Sequence, residues 1–275
     1  MPLKTMSRFH TIEISDPRFE HEGLREVTFK SPSLRGRADV TLWLPPGAES
    51  ASDLPLAILL HGVYGSHWAW TRSGGAHRTA ADLVARGEIP PMALAMPSDG
   101  LVFDGSGYLT IGERDVERYV VDEVRACVGE VVKSVTARSP VFIAGLSMGG
   151  FGALRLGAKY PDRFAAIAGH SSITNFAQMA KFVEEPHEAY GPPAEQEQSV
   201  LHWMLAHRDR LPPIRFDCGT EDPLIEENRR LHRELATHEI PHTYEEFPGG
   251  HEWLYWETHV ADTLRFFGRC ARHNR

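Results

Sequence analysis

The sequence predicts an α/β fold in which a mostly parallel central sheet is flanked by helices, and three observations predict it. First, the short apolar runs at residues 56–60, 92–96, 141–144 and 164–168 are separated by helical or loop segments. Runs too short for helices and apolar on both faces suit buried parallel strands. Second, Val141 to Gly150 reads V-F-I-A-G-L-S-M-G-G and passes directly into the helical pattern of residues 151–160. Third, the alternation resumes in the final third, with strands at 214–218 and 242–247 and helices at 226–238 and 251–272.

The elements follow in chain order. Residues 26–29 and 38–44 read as two strands around a turn at 31–36, the second ended by Pro45-Pro46-Gly47, and they start the sheet antiparallel. Residues 79–86 and 115–135 carry helical periodicity, and Pro161 stops the helix over 151–160. Residues 174–213 break the alternation, being rich in Glu, Gln, His and Pro and including the loop 190–193. They read as a cap insertion of short helices above the sheet edge, where α/β enzymes vary their substrate lids. With no linker in view, 275 residues are read as a single domain over 1–275.

Composition narrows the function. Hydrophobic residues at 42% and charged residues at 24% are ordinary for a globular protein. A net charge of −8 argues against a nucleic-acid or anionic-membrane partner, because phosphate binding needs a basic surface. Residues 1–9 lack the apolar core of a secretory signal, and no run approaches the roughly 18 apolar residues of a membrane span. A cytoplasmic protein is therefore expected, with a homo-oligomer left open. Cys127, Cys218 and Cys270 are widely spaced without a C-x-x-C pair, which excludes a disulfide framework and a cysteine-rich zinc site. They read as small buried hydrophobes. There is no H-E-x-x-H, and Gly145 to Gly152 matches neither a P-loop nor G-x-G-x-x-G, so neither a metal nor a cofactor is expected.

The chemistry centres on Gly145-Leu146-Ser147-Met148-Gly149, the pattern of a nucleophile elbow. A strained turn between a strand and a helix leaves no room for side chains two residues either side of the serine. A serine hydroxyl is a weak nucleophile, so Ser147 needs a base, and the base needs an acid to fix its tautomer. Asp222 lies just beyond strand 214–218, and His251 follows Pro248-Gly249-Gly250 just beyond strand 242–247. The chain order Ser, Asp, His is that of the α/β-hydrolases. Glu221 reads better as a helix-terminal charge, and Asp217, His242 and His259 fall inside strands or a helix. Developing oxyanion charge needs donors. The N–H of Met148 supplies one, and that of Val63, in His61-Gly62-Val63-Tyr64-Gly65, the second, with Gly62 as the alternate. His61 reads as a structural hydrogen-bonding residue. Trp68, Trp70, Trp253 and Trp256 are candidates to wall the acyl or alcohol pocket, with His170 at a strand end as a further lining residue.

Taken together, His61-Gly62, the elbow, Gly219-Thr220-Glu221-Asp222, Pro97-Ser98-Asp99-Gly100 and G-G-H-E-W-L-Y-W at 249–256 resemble the esterase D-like group of α/β-hydrolases. That group includes S-formylglutathione hydrolase, feruloyl and acetylxylan esterases and the mycolyltransferases; the nearest likeness is to bacterial tributyrin esterases and carbohydrate-type acyl esterases. The likeness runs from about Arg25 to Phe267. It implies an α/β-hydrolase fold, a triad of Ser147, Asp222 and His251, and metal-free hydrolysis of short-acyl esters. Two stretches depart from the pattern. The loop Val63 to Trp68 lacks the threonine and cysteine of S-formylglutathione hydrolases, and His170-Ser171-Ser172 replaces a more usual Ser-Gly. The expected function is a serine carboxylesterase acting on a small-molecule ester through an acyl-enzyme on Ser147. The same triad would serve an acyltransferase or an S-formylglutathione hydrolase-like thioesterase.

Overall fold

The computed structural model describes residues 7–191 and 193–273. Residues 1–6 and Pro192, on which the N-terminal reading and the loop 190–193 partly rest, lie outside the described residues. In chain order the strands are β1 (Ile12–Ile14), β2 (Leu24–Ser31), β3 (Gly36–Trp43), β4 (Leu56–Leu60), β5 (Ala93–Pro97), the short hairpin β6 (Thr110–Ile111) and β7 (Arg114–Asp115), β8 (Val141–Leu146), β9 (Ala166–His170), β10 (Ile214–Gly219) and β11 (Thr243–Phe247). The helices are α1 (Ala69–Arg72), α2 (Ala76–Ala85), α3 (Val116–Arg118), α4 (Arg125–Val131), α5 (Met148–Lys159), α6 (Val200–Ala206), α7 (Ile225–Thr237) and α8 (Trp253–His273).

All strands but the β6–β7 hairpin join one sheet in the order β1-β2-β3-β5-β4-β8-β9-β10-β11. Pairing is antiparallel from β1 to the β3–β5 pair and parallel from there to β11. The parallel half puts the carboxyl ends of β4, β8, β10 and β11 on one edge, where ligand crevices form in such sheets. Every residue of β4, β5, β8, β9 and β10 is buried. Their side chains alternate between two apolar layers. Val141 and Ile143 of β8 join the layer that holds Phe151 of α5, whereas Phe142, Ala144 and Leu146 face α2 and α8. Phe142 stacks on Phe267 of α8 with ring centroids 4.9 Å apart.

Three expectations need correction. The strand placed at 164–168 is β9, two residues further on. The turn Pro161–Arg163 precedes it, and pairing with β8 begins only at Ala166, opposite Phe142. The helix over 115–135 is α3 and α4 joined by a π-helical stretch, Tyr119–Val124, and it ends at Val131. The helix after the elbow begins at Met148 instead of Phe151, because the chain turns helical immediately after Ser147 and close packing decides against the poor helix propensity of Gly149 and Gly150. The short strand β1 and helix α1 carry too few residues to leave a periodic signal. The insertion at 174–213 consists of 3-10 turns at Phe176–Lys181, His187–Tyr190 and Glu195–Gln198 followed by α6, which packs on α5.

Candidate active site

Ser147 links β8 to α5 at φ 54° and ψ −118°. Such a conformation costs a non-glycine residue about 1–3 kcal/mol and persists only where its surroundings impose it. Here the Ser147 N–H donates to His170 O at 2.9 Å, while Ser147 O accepts from Phe151 at 3.1 Å and from Ile173 at 3.2 Å. The flanking glycines have no alternative. A Cβ on Gly145 would run into Gly149 O, and one on Gly149 would run into Leu60 O. α5 can therefore start hard against the ends of β8 and β4.

His251 and Asp222 reach Ser147 from the loops that follow β11 and β10. The His251 ring spans them, with Nδ1 2.8 Å from Asp222 Oδ2 and Nε2 3.0 Å from Ser147 Oγ. An ionised carboxylate only accepts, so the proton sits on Nδ1 and Nε2 is left to accept from the serine. Burial opposes ionisation of Asp222, but the hydrogen bond and charge of His251 and the Leu224 N–H, donating at 2.8 Å, outweigh it. The carboxyl consequently titrates below the usual range. The two loops are stitched together by Thr220 N–H to Phe247 O at 2.9 Å and Glu221 N–H to Gly249 O at 3.0 Å.

The expected donors lie beside the serine. Met148 is the first residue of α5, so its N–H has no intrahelical partner. At Gly62 an added Cβ would sit 2.8 Å from Leu146 Cδ1 and 3.4 Å from Ser147 Cβ, which shows how closely this backbone passes the serine. Val63 lines the same cavity as Ser147 and His251. His61 is buried with Nδ1 2.7 Å from Gly62 O, and its own carbonyl accepts from Tyr108 at 3.0 Å; it shapes the loop.

The cavity over Ser147 holds about 470 Å³. Trp68, Trp253 and Trp256 line it as expected. Trp70 lies beneath, donating to Leu60 O at 2.9 Å. His170 does not reach the cavity: it is the last residue of β9, fully buried, with Nδ1 3.1 Å from Asp217 and Nε2 3.0 Å from Thr263. The two-residue shift of that strand turns an expected loop histidine into a core one. Asp217 is committed to the same buried cluster, His242 lies 2.8 Å from His232, and His259 lies 3.1 Å from Asp262. Two aromatic lining residues escaped sequence reasoning. Tyr64 adopts φ 56° and donates its hydroxyl to Asp104 at 2.8 Å, which pushes its pKa up to about 12. Phe182 of the insertion stacks on the His251 ring at 4.9 Å and 23°. No motif marks either residue; only the aromatic character of 182 inside a polar stretch hints at a role. Among the described residues, no group of three or more His, Cys, Asp or Glu is arranged to hold a metal.

A mostly parallel sheet with a strained serine between strand and helix, facing a histidine paired to a carboxylate, defines the class of α/β-hydrolase serine esterases. The chain belongs to the family described as "Putative esterase", whose model matches residues 31–267, which places it among the carboxylic ester hydrolases. It is 26% identical to the acetyl esterase of Caldicellulosiruptor saccharolyticus over 90% of this chain and 99% of that one. It is 23% identical to the iron(III) enterobactin esterase of Escherichia coli K12 over 91% of this chain and 58% of that one. Among solved structures, a ferulic acid esterase superposes with a TM-score of 0.78 at 23% identity, covering 94% and 99% of the two chains. An S-formylglutathione hydrolase from Agrobacterium tumefaciens gives 0.73 at 17% identity, covering 96% and 99%. No described helix is long and apolar enough to cross a membrane.

Proposed function

We propose that this chain is a serine carboxylesterase that hydrolyses short-acyl esters of neutral alcohols through an acyl-enzyme on Ser147. The observation that carries the reading is the unbroken line from Ser147 Oγ through both His251 nitrogens to Asp222, at 3.0 and 2.8 Å, on the floor of the cavity. His251 Nε2 takes the serine proton as Oγ attacks the carbonyl carbon, and Asp222 stabilises the imidazolium that results. The N–H groups of Met148 and Val63 hold the oxyanion; loss of one such donor costs on the order of 10²-fold in rate. His251 then returns the proton to the leaving alcohol, and water, activated by the same nitrogen, releases the acid.

The cavity lining supports the substrate class. It is apolar and aromatic and includes one carboxylate, Glu252, but no lysine or arginine. A neutral ester fits that surface, whereas the two carboxylates of a glutathione thioester would enter with no opposite charge to meet them. On the same reading the enzyme works in the cytoplasm.

The test is a panel of p-nitrophenyl esters from acetyl to decanoyl together with feruloyl, acetylated-sugar and S-formylglutathione substrates. Turnover should peak at short acyl chains, and Ser147→Ala should abolish it with the circular dichroism spectrum unchanged. Wild-type turnover by Ser147→Ala would sink the nucleophile, and preference for the thioester would overturn the substrate class.

A further inference from the structure

Beneath the triad lies a buried polar cluster that the proposed chemistry does not use. Its centre is Asp217 of β10, wholly excluded from solvent. Asp217 accepts the Tyr255 hydroxyl at 2.9 Å, meets His170 Nδ1 at 3.1 Å and accepts from Arg215. Thr263 of α8 closes the ring, 3.0 Å from His170 Nε2 and 3.1 Å from Arg215. A buried carboxylate is retained only when it is paired and fully hydrogen-bonded. This one holds three side chains from β9, β10 and α8.

We propose that Asp217 is a positioning residue that references the nucleophile and its base to a single buried carboxylate. The inference rests on the esterase reading above. On the nucleophile side, the His170 ring is fixed by Asp217 and Thr263, and the His170 carbonyl accepts the Ser147 N–H at 2.9 Å. The next residue, Ser171, donates its N–H to Asp217 O at 2.8 Å and adopts φ 45°. The strained serine is thus held from behind by a peptide that Asp217 grips at side chain and backbone. On the base side, Tyr255 is the third residue of α8, four residues after His251. Its ring backs Gly249, where an added Cβ would come within 2.9 Å of Tyr255 Cδ2. The Tyr255 hydroxyl therefore pins to Asp217 the surface on which the His251 loop rests. Displacement of Asp217 moves both reacting partners, and misplacement by about 1 Å can cost about 10²-fold in rate.

Tyr255→Phe removes one hydroxyl without changing ring shape, and Asp217→Asn removes the charge at constant volume. Each is assayed well below its melting temperature by steady-state kinetics on p-nitrophenyl acetate and by the rate at which a fluorophosphonate labels Ser147. In that labelling Oγ displaces fluoride from phosphorus and its proton passes to His251. Tyr255→Phe should lower kcat about tenfold, leave KM within about twofold and slow labelling in parallel. Asp217→Asn should lower both further; where it does not fold, Tyr255→Phe decides. A Tyr255→Phe enzyme with a lowered melting temperature but wild-type kcat and labelling rate would show a purely structural cluster and overturn the proposal. Labelling separates the two readings. A wild type that is labelled at Ser147 but cleaves no ester removes the proposed substrate class and leaves the positioning comparison intact, whereas a wild type neither labelled nor active removes both.

Discussion

Asp222 illustrates how little separates the carboxylate that meets His251 from its neighbours. Glu221 is exposed and adjacent, Asp217 is buried and five residues earlier, and only Asp222 reaches His251. Asp222→Asn keeps the shape but can donate to Nδ1, favouring the tautomer whose Nε2 carries a proton and cannot accept from Ser147. A kcat lower on the order of 10⁴-fold with unchanged melting temperature is expected by steady-state assay. Ser147, Asp222 and His251, the proposed triad, can be picked from the sequence because each follows a strand in the chain order Ser, Asp, His, with glycines close to Ser147 and His251. His170 was not legible in the same way. Its place depends on pairing β9 to β8 from Ala166, a register that apolar content alone does not fix, since Phe164 is buried as well.

At the scale of elements, an ionic cluster decides how the insertion sits. Arg155 of α5 is fully buried and donates to Glu117 at 2.7 Å, to Glu197 and to Tyr108 O at 2.8 Å. Lys159, one turn on, meets the same two glutamates at 2.7 Å each. The cluster fastens the turn Glu195–Gln198 to α5 and to α3. Arg155→Met would leave Glu117 and Glu197 short of a partner in a desolvated site, and removing one member of such a group costs about 3–5 kcal/mol. Urea unfolding should show a loss of that order. The insertion was legible as an interruption of the α/β alternation, but its anchoring was not. Arg155 lies on a helix whose other residues up to Ala158 are apolar or glycine, and its partners are 38 and 42 residues away in opposite directions.

At the scale of the molecule, the buried Asp217 cluster makes the fold acid-sensitive. Burial raises the pKa of Asp217, but His170 and Arg215 more than offset this and hold it at about 2, below an unfolded value near 3.8. A depressed carboxylate contributes stability above its unfolded pKa and loses it as pH falls through the folded one. For a shift of this size the contribution at neutral pH is on the order of 2 kcal/mol, lost between about pH 4 and pH 2. Denaturant midpoints measured across that window should fall for the wild type and vary less for Asp217→Asn, which starts lower.

The α/β class and the parallel half of the sheet followed from apolar runs, whereas the antiparallel edge strand β1, only three residues long and partly exposed, left no trace. The sheet order has a temporal corollary. Ser147 lies 104 residues before His251, its proposed base, and His251 lies 29 after Asp222, so the three meet only once β10 and β11 have been laid beside β9. During synthesis the elbow leaves the ribosome long before anything can draw its proton. On the proposed mechanism a newly made chain is thus chemically silent through most of its assembly, and its first turnover follows the docking of its last strand.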